Sequence, residues 1–419
     1  MIIIALLLSN YTSALKEILL PFIRNNFPKQ TILLDQMKRN AGVDRINDEF
    51  VAPLYTGRHG GVSNLANDNN NLNSASGRST TSGTVSVKLI TGALDISKLV
   101  IDASQGDLAV ENSLTAQTKT LADDYARQVN RQLYSDGVGV VSQVLGSVSG
   151  TEFSVMRPDS GLDDGRSIDW YGSVNGDIDP IKYLAAGNIV GVGTTGIDHG
   201  TISALTGTSV QTTGAIASVG SDAIYISDGS ATDGARGTSD VQGIRAALSS
   251  TTGTSTYAGV ARSTTGWAPQ FGSVSEALTL SRMENTYLSA KEYASLNDQF
   301  IILVNKTLYR KHGDLLTAMR REVNETDLLG GWTGLSFAAG AGRVGVFLDY
   351  DVPDGEVLFL NLDTWTICQV GDMDWLEDPQ GGNLLRLQNT IKYQAGMVWF
   401  ANALCLGPAA NGRQTQKTG

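Results

Sequence analysis

Catalysis needs a nucleophile, base or ligand set at workable spacing, and this sequence offers few. It contains three histidines, His59, His199 and His312. His59 and His199 lie in polar, Gly-rich surroundings, and none of the three belongs to a Ser or Cys nucleophile motif. Gly191, Gly193 and Gly196 spell GxGxxG. A dinucleotide site needs a helix to open there, but Ile197-Asp198-His199-Gly200-Thr201-Ile202-Ser203 reads as turn and strand. No Walker lysine motif occurs. Carboxylates gather at Asp159, Asp163 and Asp164, at Asp228 and Asp233, and at Asp372, Asp374, Glu377 and Asp378. None has the spacing and terminal Glu of an EF-hand loop, so they read as solvated turns, with no metal expected. Cys368 and Cys405 are the only thiols. They form no CxxC or zinc set and read as small buried apolar residues of a protein made in a reducing compartment. Trp332, Trp365, Trp375 and Trp399 read as core or interface anchors. The residues predict no catalytic centre and no cofactor.

The elements that would carry any function say more. Charged residues are only 17 % of the 419-residue chain, 47 residues are Gly, and the net charge is −11. That balance argues against tight nucleic-acid binding, which needs clustered Lys and Arg. Met1–Leu8 is apolar but far shorter than the ~20 residues of a membrane span, and it lacks the basic flank of a signal peptide. It reads as an arm needing cover. Tyr11, Leu15, Ile18, Leu19 and Phe22 fall at helical spacing, and Ile32, Leu33, Leu34 and Met37 suggest a second short helix.

Gly57–Gly83 is dominated by Gly, Ser, Thr and Asn. Strand-like Phe50–Tyr55 and Val85, Val87, Leu89 flank it, which predicts a long two-stranded ribbon with a polar tip. Such a ribbon is marginal alone and needs a neighbour to lie on. Ala93–Ile101 reads as a strand. Asp107–Tyr134 has no Gly or Pro and sets Val110, Leu114, Leu121, Tyr125, Val129 and Leu133 along one stripe, with Asn130 and Arg131 on the polar side. It predicts a helix about 40 Å long, stopped at Gly137. Ser147–Arg236 reads as short strands of a barrel or sandwich. Helices are expected near Ser239–Leu248, over Ser273–Leu296 and over Lys306–Val323, with a buried strand at Phe300–Val304. Strands are expected at Val344–Leu348, Val357–Leu362, Trp365–Val370 and Tyr393–Leu406. Gly407–Gly419 reads as a polar surface tail.

This ordered set resembles the major capsid proteins of tailed bacteriophages, the Hong Kong 97-type fold. Leu121–Gly139, with Asn130-Arg131-Gln132-Leu133 running into Asp136-Gly137, is similar to the end of their spine helix. Tyr11–Leu34 resembles their N-arm, and Arg58-His59-Gly60-Gly61 the start of their extended loop. Gly243-Ile244-Arg245 through Trp267 resembles the stretch after an inserted module, and Gly381–Tyr393 the close of such chains. The resemblance implies an α+β chain with an N-terminal arm (1–48), an extended β-hairpin loop (49–93), a peripheral domain with the spine helix (94–146), an inserted β-rich module (147–240), an axial α/β domain (241–343) and C-terminal strands completing both domains (344–419).

It also implies a non-enzymatic shell subunit that assembles as hexamers and pentamers around double-stranded DNA. Such a subunit is made in the host cytoplasm, resides in the virion and does not enter a membrane. Its implied partners are further copies, a portal and a separate scaffolding protein, with a decoration protein as another candidate. Tyr11, Leu15, Phe22, Arg58, Arg78, Arg127 and Arg131 are the expected inter-subunit contacts. Some relatives cross-link the extended loop through a lysine; Gly57–Gly83 has none, which implies non-covalent clasping. An encapsulin-like compartment and a secreted β-rich surface protein are the alternative readings.

Overall fold

The computed structural model describes residues 31–55, 80–97, 107–137, 139–144, 148–156, 183–193, 198–206, 209–218, 223–226, 240–249, 256–264, 266–295, 297–318, 325–328, 332–339, 342–353, 355–377, 382–383, 385–386 and 391–418. The expected arm helix at Asn10–Phe27 and the ribbon tip lie outside them.

The described chain opens on the short helix α1 (Ile32–Gln36), whose Ile32, Leu33 and Leu34 are buried. Strands β1 (Lys38–Arg39), β2 (Asp44–Ile46), β3 (Glu49–Tyr55), β4 (Thr80–Ser86) and β5 (Lys88–Ser97) follow. β3 and β4 pair antiparallel from Glu49↔Ser86 to Tyr55↔Thr80. They form the root of the expected ribbon, and β2 adds a third strand. The root is anchored by apolar burial: Phe50, Ala52, Leu54 and Val85 are in the main core.

Helix α2 covers Asp107–Tyr134, as its uninterrupted pattern predicts. Ala122, Tyr125, Ala126, Val129 and Leu133 are buried. The Tyr125 hydroxyl donates to the Ile90 carbonyl at 3.0 Å, tying the helix to β5. Gly92 leaves room for the ring: a Cβ there would sit 3.1 Å from Tyr125 Cδ2. Gly137, at φ 90°, turns the chain away.

Six strands then close a barrel: β6 (Val140–Val144), β7 (Val148–Met156), β8 (Ile189–Val192), β9 (Asp198–Thr206), β10 (Ser209–Ser218) and β11 (Ala223–Ile226). It has its own apolar core, which includes Phe153, Val190, Ile202 and Ile224. The module thus begins at Val140, earlier than residue 147, because β6 pairs with both β7 and β11. Of the GxGxxG glycines, Gly191 is within β8 and Gly193 follows it, and the next described element is strand β9.

Beyond the barrel come α3 (Ile244–Ala247), β12 (Thr256–Tyr257), β13 (Val260–Ala261), β14 (Gln270–Ala277), α4 (Leu280–Glu292), β15 (Phe300–Val304) and α5 (Lys306–Ala318). The helix expected over Ser273–Leu296 is therefore strand over its first five residues, Ser273–Ala277, and helix over Leu280–Glu292. Pairing of β14 with a distant strand overrides local propensity, and Thr279 caps α4 by accepting from the Arg282 N–H at 3.4 Å. Met283, Tyr287 and Ala290 face the core, whereas Ala277 is exposed and Leu288 is 39 % exposed.

The remaining strands are β16 (Glu325–Leu328), β17 (Trp332–Ala339), β18 (Gly342–Leu348), β19 (Val357–Asn361), β20 (Trp365–Gln369), β21 (Asp374–Trp375), β22 (Leu385–Arg386), β23 (Lys392–Cys405) and β24 (Gly412–Thr418). A seven-stranded sheet runs β14-β24-β19-β15-β18-β17-β16. In the other large sheet, β23 pairs with β5 over ten residues, from Ser97↔Lys392 to Lys88↔Ala401, and with β20 from Cys405↔Trp365 onward.

The segment read as a polar surface tail is instead buried. β24 lies between β14 and β19, where Arg413, Lys417 and the Gln414 amide nitrogen find partners. Arg413 meets Glu356 at 2.7 Å, Gln414 donates to the Arg282 carbonyl at 2.8 Å, and Lys417 meets Glu276 at 2.9 Å.

Gly243 fixes how α3 meets the end of α2. A Cβ at Gly243 would lie 2.3 Å from the Leu133 carbonyl oxygen and 2.4 Å from that of Gln132. These are backbone atoms and cannot rotate aside. Gly243→Ala is expected to destabilise the subunit by about 1–3 kcal/mol, read as a lower midpoint in urea.

Candidate assembly surfaces and the buried charges behind them

The two long strands β5 and β23 alternate inward and outward residues. Ile90, Leu94, Met397, Trp399 and Ala401 are buried. The outward register places Leu89 directly opposite Phe400, and these are 52 % and 44 % exposed. Val370 joins them: its N–H donates to the Phe400 carbonyl at 3.0 Å, and its side chain is also exposed. Leu376, just past β21, lies beside β23 further along, with its N–H on the Gly396 carbonyl at 2.7 Å. A contiguous apolar strip on one sheet face marks a surface suited to a partner. The sequence places Leu89, Val370 and Phe400 in expected strands and Leu376 in no expected element. The signal was present in adjacent apolar pairs, Leu89-Ile90 and Trp399-Phe400, which give a strand two apolar faces.

Charged groups at the seven-stranded sheet are held inside the subunit. Glu356 is completely buried between two guanidiniums, with Arg413 Nη2 and Arg245 Nη2 each 2.7 Å from Oε1. Burial alone would raise its carboxyl pKa; the two arginines outweigh burial and hold it low. The triad joins α3, the turn before β19 and β24. Asn411 is a second node. Its Oδ1 accepts from the Asn361 N–H at 2.8 Å and from Trp365 Nε1 at 2.9 Å, and its Nδ2 donates to the Gly407 carbonyl at 2.8 Å.

Two of the seven expected contact residues fall within the described chain. Arg127 is on the solvent face of α2, its side chain 66 % exposed and 4.0 Å from Asp124. Arg131 differs from expectation. Its side chain is 7 % exposed and bonds Asp240 at 2.7 Å, so its charge is engaged within the subunit. Asn130, also read as a solvent-facing residue, is buried. Tyr11, Leu15, Phe22, Arg58 and Arg78 lie outside the described residues. Cys368 and Cys405 are buried free thiols, and burial pushes both up to about 12. Among the described residues no three His, Cys, Asp or Glu side chains converge as a metal set, and no helix is long and apolar enough to cross a membrane.

No family model matches the chain, and no curated protein matches it. Solved structures do. The chain is similar to a protein in the cyanophage A-1(L) capsid asymmetric unit, with TM-score 0.53 and 12 % identity over 94 % of this chain and 95 % of that one. Similarity to the capsid of a native GTA particle has TM-score 0.45 and 11 % identity, over 92 % of this chain and 90 % of that one. For Gordonia phage Cozz the values are 0.43 and 11 %, over 92 % and 85 %.

The class these features define is an α+β architecture built on two large sheets and a closed barrel. More particularly, the chain has the Hong Kong 97-type fold of tailed-phage major capsid proteins, established by the first of these similarities.

Proposed function

We propose that the chain is a major capsid protein, a structural subunit without enzymatic activity, which assembles as hexamers and pentamers into an icosahedral shell around double-stranded DNA. The observation that carries this reading is the similarity to a phage capsid protein along 94 % of the chain. The exposed Leu89–Phe400 strip supports it, because an apolar strip on a sheet face suits a surface beyond the subunit. The buried, partnerless nitrogens of His312 and the buried thiols support a role without catalysis. The net charge of −11 fits enclosing DNA without gripping it. Assembly belongs in the host cytoplasm, with scaffolding and portal proteins as partners.

Co-expression with a scaffolding protein from the same genome, followed by electron microscopy, tests the reading. Closed icosahedral particles are expected; a chain that stays monomeric with its scaffold present contradicts it. Leu89→Ser with Phe400→Ser is expected to leave the isolated subunit's melting temperature within a few degrees of the parent. The same pair should reduce particle yield at least tenfold, about the effect of 1.4 kcal/mol per contact.

A further inference from the structure

The barrel joins the rest of the subunit at one end of α2. Its apolar core, which includes Val144, Phe153 and Ile224, is separate from the main core that holds Val129 and Leu133 of α2. The chain leaves α2 through Gly137 and Gly139, at φ 90° and 82°, a backbone region that glycine adopts without strain. After β11 the described chain resumes at Asp240, whose carboxylate meets Arg131 of α2 at 2.7 Å. A Cβ on Gly139 would sit 3.5 Å from that same carboxylate, so the chain's exit from α2 and its return lie side by side. Two adjacent links with freely turning residues make a hinge: they fix where a module sits and leave its tilt to be set elsewhere.

Tyr183 is placed to set that tilt. Its ring packs on the barrel core, with Arg131 Cζ 5.9 Å from the ring centroid. Its hydroxyl donates to Asp351 Oδ1, on the turn after β18. The receiving side is arranged by the body's own contacts. Asn130 Nδ2 donates to Asp351 Oδ2 at 2.6 Å. The Asp351 N–H donates to Asp349 Oδ1 and the Tyr134 hydroxyl to Asp349 Oδ2, each at 2.9 Å. Helix α2 and the turn are thus locked to each other, and the barrel reaches them through a phenol. Such a contact opens at low cost, because water takes over the freed hydroxyl and carboxylate, and neither apolar core need be exposed.

We propose that the barrel is a hinged module pivoting at Gly137 and Gly139 beside Asp240, and that the Tyr183–Asp351 hydrogen bond is the latch that holds its tilt. Unlatched, the barrel swings as a folded unit, because its own core stays closed.

Spin-label distance measurement by electron paramagnetic resonance on the full chain tests this. One label goes on Lys119→Cys of α2 and one on Ser203→Cys of β9, both exposed positions; the native thiols are buried and stay unlabelled. A single narrow distance is expected with the latch intact. Tyr183→Phe keeps the ring and loses the bond, and the fraction of molecules at other distances should rise about tenfold, the weight of one hydrogen bond to a charged group. Asp351→Ala removes the acceptor and should broaden the distribution likewise; if Tyr183→Phe fails to fold, this variant decides. A pair inside the barrel, Thr151→Cys with Ser203→Cys, should keep its narrow distance in both variants. An α2-to-barrel distance that neither variant changes overturns the proposal, as does a broad distribution before the latch is touched. Broadening inside the barrel in both variants also overturns it, since Tyr183 would then hold the barrel's fold and not its tilt.

Discussion

Replacing Glu356 with Gln is expected to destabilise the subunit by about 3–5 kcal/mol, the cost of breaking a buried ion pair from one side. The shape is nearly unchanged, so the effect is electrostatic. Glu356 and Arg413 have fully buried side chains, and that of Arg245 is 9 % exposed. The carboxylate accepts from Arg245 at 3.2 and 2.7 Å through Oε1, and from Arg413 at 3.1 Å through Oε2 and 2.7 Å through Oε1. Glutamine keeps one acceptor oxygen and turns an NH₂ toward cations, leaving two guanidiniums buried without a counter-charge. Urea denaturation should show a lower midpoint at unchanged slope. A triple replacement by apolar residues of similar volume should recover most of the loss, because such a triad contributes little net stability over good packing. Lys38→Met is the contrast. Its partner Asp363 is 2.6 Å away, but the lysine side chain is 54 % exposed, so about 0–1 kcal/mol is expected.

The triad also shows where the sequence was readable and where it was not. Helix α2 was legible end to end, because its apolar stripe and lack of Gly and Pro are local signals. Strands β15, β18 and β19 were legible because they are continuous apolar runs buried on both faces. β24 was not. Arg413, Gln414, Thr415 and Lys417 read as surface, and their burial depends on Glu356, Thr286 and Glu276, all more than fifty residues away in sequence. Asn130 and Arg131 misled for the same reason: a polar residue on a helix reads as solvated until the carboxylate facing it is known. The apolar strip was half legible. Leu89 and Phe400 are visibly apolar, but only the β5–β23 register sets them side by side on the open face.

Acid should weaken the subunit through His312, by about 3 kcal/mol between pH 7 and pH 4. His312 is fully buried on α5, its ring 6.1 Å from that of Phe337, and neither ring nitrogen has a hydrogen-bond partner. Burial lowers its pKa from 6.5 to about 4. The unfolded chain therefore takes up a proton at a pH where the folded chain does not. Stability from this group is constant above pH 6.5, falls as pH drops below that value, and is fully lost once pH has passed below about 4. The difference of roughly two and a half pH units corresponds to about 3 kcal/mol at 1.36 kcal/mol per unit. Carboxylates titrate in the lower part of the same window, so the parent's acid limb alone does not isolate the histidine. His312→Leu does. It fills similar space, removes two unsatisfied nitrogens and cannot take up a proton. At pH 7 the variant should be as stable as the parent or more so. Between pH 6.5 and 4 its denaturation midpoint should decline less steeply, with the gap between the two proteins widening throughout. Parallel pH profiles would mean that the ring is protonated in the folded subunit, against its apolar setting on α5.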